Sequence, residues 1–192
     1  MLLFLFYEID KLLIKYYSFN RGKIMKRLYI DFDGVVMDTI PPLYRALEEA
    51  GVNFADKDET MKFFSRFDFS SIINDHAILN DSIKCIKKLI KSNMFEISFL
   101  THVNSLEEGA VKTEYLRKYF KKITIIIVPK QISKTKMVHS EGAILVDDYA
   151  GNLKEWESTG GIPVRFSQEM ESHGYKVIDH LDQLIDMFKD SE

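Results

Sequence analysis

Apolar and polar positions fall into blocks along this chain, and the blocks switch repeatedly between strand-like and helix-like patterns. Runs rich in apolar, β-branched and aromatic residues at 27–32, 95–100, 122–128, 143–146 and 163–166 predict strands, the third closed by Pro129. Helices are predicted at 39–50, 105–120, 152–157 and 181–189. The first tolerates Pro41 and Pro42 because they fall in its opening turn. The second opens on a capping box, in which Ser105 caps and Glu108 reaches back. Strands alternating with helices predict an α/β fold, a Rossmann-like parallel sheet covered on both faces. Residues 54–93 read as mostly helical, with Asn80 or Asp81 as an N-cap. That stretch is longer than one crossover needs, so a small helical cap over 41–93 is expected, with the core formed by 25–40 and 94–192.

Two of the strand runs end in acids. Leu28-Tyr-Ile runs into Asp31-Phe-Asp33-Gly34, and Ala143-Ile-Leu-Val146 runs into Asp147-Asp148. In an open parallel sheet, the C-terminal strand ends are the edge where ligands bind. Two strands delivering carboxylates there suggest one shared cation site. Taken alone, Asp31 and Asp33 read equally well as a solvated turn, and Asp147-Asp148 as a helix cap.

Composition narrows the picture. The 192 residues can bury a full core. With 26 basic and 29 acidic side chains, the net charge of -3 gives no footprint for a nucleic-acid polymer, while single nucleotides stay open as ligands. The lone Cys85 cannot form an internal disulfide, so a reducing, cytoplasmic setting is expected. The apolar start, Met1 to Tyr7, is ended by Glu8, Asp10 and Lys11 far short of a spanning length, so no membrane partner is expected. No basic residue precedes that run and no cleavage-like site follows it. Residues 1–24 therefore read as an extension ahead of a natural start at Met25, or as an appendage outside the fold.

The acidic strand ends carry a family resemblance. Asp31-Phe-Asp-Gly-Val-Val resembles the first motif of the haloacid dehalogenase superfamily of phosphatases, and Phe99-Leu-Thr101 resembles the second. Val146-Asp-Asp148 with Asn152 is similar to the fourth. Leu145 to Leu153 and the following Trp156-Glu-Ser-Thr-Gly-Gly-Ile are similar to the deoxyribonucleotidase-like branch. The resemblance implies a phosphomonoester hydrolase that uses Mg2+, a hard cation suited to oxygen ligands. Asp31 would then be nucleophile and ligand, and Asp33 the acid and base, binding metal through its main-chain carbonyl. Asp148 would be the direct ligand, and Asp147, counted with it among the metal residues, would join Asn152 in orienting the groups around the ion. Gly34 would let the backbone turn beside the phosphate, and Thr101 and the backbone of His102 would bind phosphoryl oxygens. A lysine must hold the phosphate: Lys130, Lys134 and Lys136 qualify, with Lys136 favoured and Lys134 next.

The other histidines, 76, 139, 173 and 180, show no ligand spacing. Cap aromatics Tyr44, Phe63 and Phe67 are candidates to stack on a base, although a cap core explains most of the phenylalanines at 63–69. The expected partner is a small phosphorylated metabolite, a nucleoside or deoxynucleoside monophosphate ahead of a sugar phosphate. Two rival classes are a non-catalytic phosphate or nucleotide sensor and a phosphoacceptor module of the response-regulator kind.

Overall fold

The computed structural model describes residues 25–189, so the reading of residues 1–24 lies outside the described residues. Six parallel strands form one sheet in the order β3-β2-β1-β4-β5-β6: β1 Lys26–Ile30, β2 Phe95–Val103, β3 Thr124–Pro129, β4 Ile144–Asp147, β5 Ile162–Phe166 and β6 Lys176–Ile178. The helices are α1 Ile40–Glu49, α2 Lys57–Phe64, α3 Ser82–Ser92, α4 Leu106–Tyr119, α5 Ala150–Ser158 and α6 Gln183–Phe188. The α/β expectation holds. Among the described residues, no helix is long and apolar enough to cross a membrane.

Period-two alternation on β1 explains the two covered faces. Leu28 and Ile30, fully buried, belong to the main core with Ile86 and Leu89 of α3, Leu116 of α4 and Leu184 of α6. Tyr29 points the other way, meeting Trp156 of α5 edge-on at 5.4 Å. That indole is itself fully buried, and its Nε1 donates to the Ala143 carbonyl at 2.9 Å. A polar tip with a partner is what lets so large a ring sit inside.

Three departures from the sequence reading have local causes. Strand β2 runs past residue 100 to Val103, because His102 and Val103 pair with Val128 and Pro129 of β3. Short β6 is an addition, three residues with little pattern to read. Residues 54–93 hold less helix than expected. Asp68 and Asn74 each accept a bond from a backbone N–H two residues on, which favours short 3-10 turns at Phe69–Ser71 and Asp75–Ala77 over a continuing helix. Asp81 does precede α3, but its carboxylate pairs with Lys84 at 2.7 Å and caps nothing.

The segment between β1 and α3 lies over the strand ends. Isolated bridges tie Met37 to Asp33 and to Ile78, anchoring both ends of the segment beside the first acids. Its interior is aromatic: Phe64 and Phe69 are buried, and Phe63 stacks on Phe67 at 5.2 Å. The capping box at α4 is half made. Ser105 Oγ accepts from the Glu108 N–H at 3.1 Å, while the Glu108 carboxylate passes Ser105 and accepts from the Asn104 N–H at 2.7 Å.

Candidate active site

Central strands β1 and β4 are neighbours, so their C-terminal acids converge. Asp31 follows β1 and donates its N–H to the Val146 carbonyl at 3.0 Å; Asp147 ends β4, and Asp148 is next. Oxygens of Asp31, Asp147 and Asp148 lie within 4.8 Å of one another. Burial pushes Asp31 up to about 7, against the pull of Lys134, with Asp147 and Asp33 adding like charge. Asp148 is pushed up to about 8 by burial first and by the same crowd of carboxylates second.

Lys134 lies beneath this cluster, in the 3-10 turn Lys134–Lys136. It is 2% exposed, with Nζ 2.9 Å from Asp31 Oδ1 and 2.6 Å from Asp147 Oδ2. Desolvation opposes its charge, but the two carboxylates outweigh it and hold the ammonium above the usual lysine range. Lys136 is exposed two residues away, so the preference for Lys136 is reversed. In a 3-10 turn, residues two apart cannot both face the strand ends.

The acids differ in their freedom. Both oxygens of Asp147 are engaged, by Lys134, by Asn152 Nδ2 at 3.1 and 2.9 Å, and by the Tyr149 N–H at 2.9 Å. Asn152 thus orients Asp147 directly. Asp148 faces Gly34, where a Cβ would fall 2.4 Å from its Oδ2, and the positive φ of 68° is also glycine territory. The Asp148 carbonyl is held by Arg165 Nη1 at 2.8 Å.

Asp33 is gripped from both sides. Thr39 Oγ1 donates to Oδ1 at 2.6 Å, and Lys112 Nζ donates to Oδ2 at 2.5 Å. Lys112 is fully buried on α4, and its Nζ also contacts Glu108 Oε1 at 2.6 Å, the His102 carbonyl at 2.9 Å and Thr101 Oγ1 at 3.3 Å. Burial lowers its pKa, yet Asp33 and Glu108 more than offset that and leave it raised.

A cavity of about 290 Å³ opens over Asp31, Asp33, Asp148 and Asn152. One wall is apolar, formed by Ile40, Leu43, Phe69, Ile72 and Ile73, with Tyr44 at its edge. The opposite rim carries His102, Asn104, Lys130 and Tyr149. His102 Nε2 sits 3.0 Å from the Ile132 carbonyl, an acceptor, so that nitrogen carries the hydrogen. Burial leads the lowering of its pKa, which keeps the ring neutral at pH 7. Two expectations fail. Thr101 does not line the cavity: it is fully buried, and its hydroxyl donates to the His102 carbonyl at 3.2 Å. Phe63 and Phe67 lie along a separate groove with Lys62 and Arg66, because Phe69 occupies the inner position that the cavity reaches.

No protein-family model matches the chain, and no curated protein matches it either. Solved structures do. A HAD phosphatase from Thermococcus onnurineus superposes with a TM-score of 0.57 at 12% identity, covering 85% of this chain and 98% of that one. The magnesium-bound HAD-hydrolase YfnB from Bacillus subtilis gives 0.54 at 12%, with the same coverage. D,D-heptose 1,7-bisphosphate phosphatase from Burkholderia thailandensis gives 0.52 at 13%, covering 86% and 99%. The chain has the haloacid dehalogenase-like fold. Against this haloacid dehalogenase-like frame, Asp31, Asp147 and Asp148 meet around Lys134, whereas Lys112, Glu108, Thr39 and Arg165 are site neighbours that the motifs pass over. Glu108 and Lys112 are one helical turn apart, a spacing that usually marks a solvated pair. Only the fold shows that this pair faces inward.

Proposed function

We propose that this protein is a magnesium-dependent phosphomonoester hydrolase acting through an aspartyl-phosphate, with nucleoside or deoxynucleoside monophosphates as substrates. The observation that carries the reading is that Asp31, Asp33 and Asp148 line one cavity, with buried Lys134 2.9 Å from Asp31. The donor set fits a hard divalent cation, since it is all oxygen and its acids are buried and crowded together, which pushes them up. Asp31, Asp148 and the main-chain carbonyl of Asp33 would hold it, with Asp147 locked behind them. When bound, magnesium would supply positive charge to the phosphoryl oxygens.

The chain's own groups divide the remaining work. An Asp31 carboxylate oxygen attacks phosphorus, and the bond to the leaving oxygen breaks. Lys134, 2.9 Å from Asp31, offsets charge on the nucleophile and on the transferring group. Asp33 gives a proton to the leaving alkoxide. Water then attacks the acyl phosphate, Asp33 takes its proton, and phosphate leaves with Asp31 restored. The chain between β1 and β2, read from the sequence as a cap over 41–93, supplies the apolar wall that excludes water. That wall favours a flat base over a sugar, because hydroxyls would meet Ile40, Leu43, Ile72 and Ile73 with no hydrogen-bond partner. Tyr44 and Tyr149, both exposed at the mouth, offer faces for stacking.

Phosphate release with Mg2+ across nucleoside monophosphates and hexose phosphates tests the reading. Turnover of the nucleotides is expected, abolished in Asp31→Asn and lowered about 100-fold or more in Asp33→Asn. A folded protein that binds nucleotide without turnover would make it a sensor instead, and faster release from hexose phosphates would move the substrate class.

A further inference from the structure

Lys112 is the fully buried cation that the proposed chemistry does not use. Its ammonium has three N–H groups and four oxygen acceptors around it: Asp33 Oδ2, Glu108 Oε1, the His102 carbonyl and Thr101 Oγ1. The ring of Phe32, itself buried, lies 5.5 Å below it. No position is left for water, and the side chain has one place to be.

As packing alone, this arrangement is costly. A buried ion pair loses hydration that its mutual attraction only partly restores, and apolar residues of similar volume usually serve a helix face as well or better. Methionine at 112 with glutamine at 108 would fill the same space and need no counter-charge. The cation is instead aimed at a carboxyl group that lines the cavity and is itself a quarter exposed. Of the two oxygens of Asp33, one is held by Thr39 at the start of the insertion and the other by Lys112 from the sheet side. Together they leave the carboxyl no rotation about its last torsion.

We propose that Lys112 is a positioning residue for proton transfer, holding the Asp33 carboxyl, with Glu108 as its anchor, in the orientation that reaches the leaving oxygen. The inference rests on the phosphohydrolase reading. It makes Lys112 matter in proportion to how much the leaving group needs a proton. A phenolate such as para-nitrophenolate leaves unaided, whereas the alkoxide of a nucleoside 5′-monophosphate does not.

The test is single-turnover release of para-nitrophenol from para-nitrophenyl phosphate and of nucleoside from a nucleoside 5′-monophosphate, with Mg2+ and protein in excess, by the full chain and by the double variant Lys112→Met with Glu108→Gln. It reads the first step alone, because hydrolysis of the acyl phosphate uses Asp33 for both substrates. The double change removes both charges, so neither is stranded. The expected result is a first-step rate constant lower by about 100-fold on the nucleotide and by less than about threefold on the aryl ester, with the half-saturating concentration of either nearly unchanged. Lys112→Gln, which keeps a donor towards Asp33, should fall between. An equal loss of the first-step rate on both substrates, or a change confined to the half-saturating concentration, overturns the positioning role while leaving the phosphohydrolase reading in place. Loss of the folded state in both variants makes Lys112 a structural residue and also overturns it. Inactivity of the unaltered chain on both esters removes the reading itself, and the inference with it.

Discussion

Single side chains decide this site, and two lysines two positions apart show how. Lys134 is buried between Asp31 and Asp147, whereas Lys136 is exposed on the same short turn. The sequence reading favours Lys136, because spacing limits the lysine to a segment and not to a face. The handedness of one 3-10 turn decides between the two. Lys134→Met should therefore lower kcat by about 100-fold or more, the scale of losing one preorganised charge at a reacting centre. Lys136→Met should stay within about twofold of the unaltered chain in the same phosphate-release assay. Similar losses in both would show that the turn rearranges when substrate binds. Lys112 is harder to read in advance. A glutamate and a lysine four apart on a helix are ordinarily a solvated pair, and only the packing of α4 against Phe32 and Thr101 turns this one inward.

At the scale of elements, legibility followed hydrogen-bond locality. Strands β1 and β4 announce themselves because apolar runs end abruptly in acids. The end of β2 does not, since its last residues are strand only by virtue of pairing with β3, far along the chain. The segment over the strand ends is hardest for the same reason: it is held by contacts distant in sequence. Asp75, in the second 3-10 turn, accepts from Tyr115 Oη at 2.9 Å and from Tyr119 Oη at 2.8 Å, both on α4. These bonds, that from Tyr119 first, lower the pKa of its carboxyl and join the segment to the core beside the helix that carries Lys112. Tyr115 is 2% exposed, so removing its hydroxyl takes a buried donor from that junction. Tyr115→Phe should lower the melting midpoint by about 2 to 4 °C, as expected for one hydrogen bond in a chain of this length. Calorimetry checks it, and an unchanged midpoint would show that Tyr119 alone suffices.

Across the whole molecule, the burial and crowding of these acids tie folding to pH and, under the proposed function, to the cation. Asp31 and Asp148 move from an ordinary 3.8 to about 7 and about 8, so the folded chain holds those protons more tightly than the unfolded chain does. The sign follows: their contribution to stability is full below pH 4 and is lost as pH rises through 7 and 8. His102 works the other way, because burial lowers its pKa and protonating it on acidification costs stability. Comparing melting midpoints with millimolar Mg2+ and with a chelator, at each pH, cancels His102 and every other background titration. The difference isolates the acids that a cation would share. At pH 5 protons compete for Asp31 and Asp148, and binding must displace them. At pH 8 Asp31 is mostly and Asp148 about half deprotonated, so fewer protons must be displaced and ligation adds stability by mass action. The magnesium-induced rise in midpoint should therefore be larger at pH 8 than at pH 5, and Asp148→Asn should shrink it at pH 8. An equal rise at both values would place the cation somewhere other than these acids.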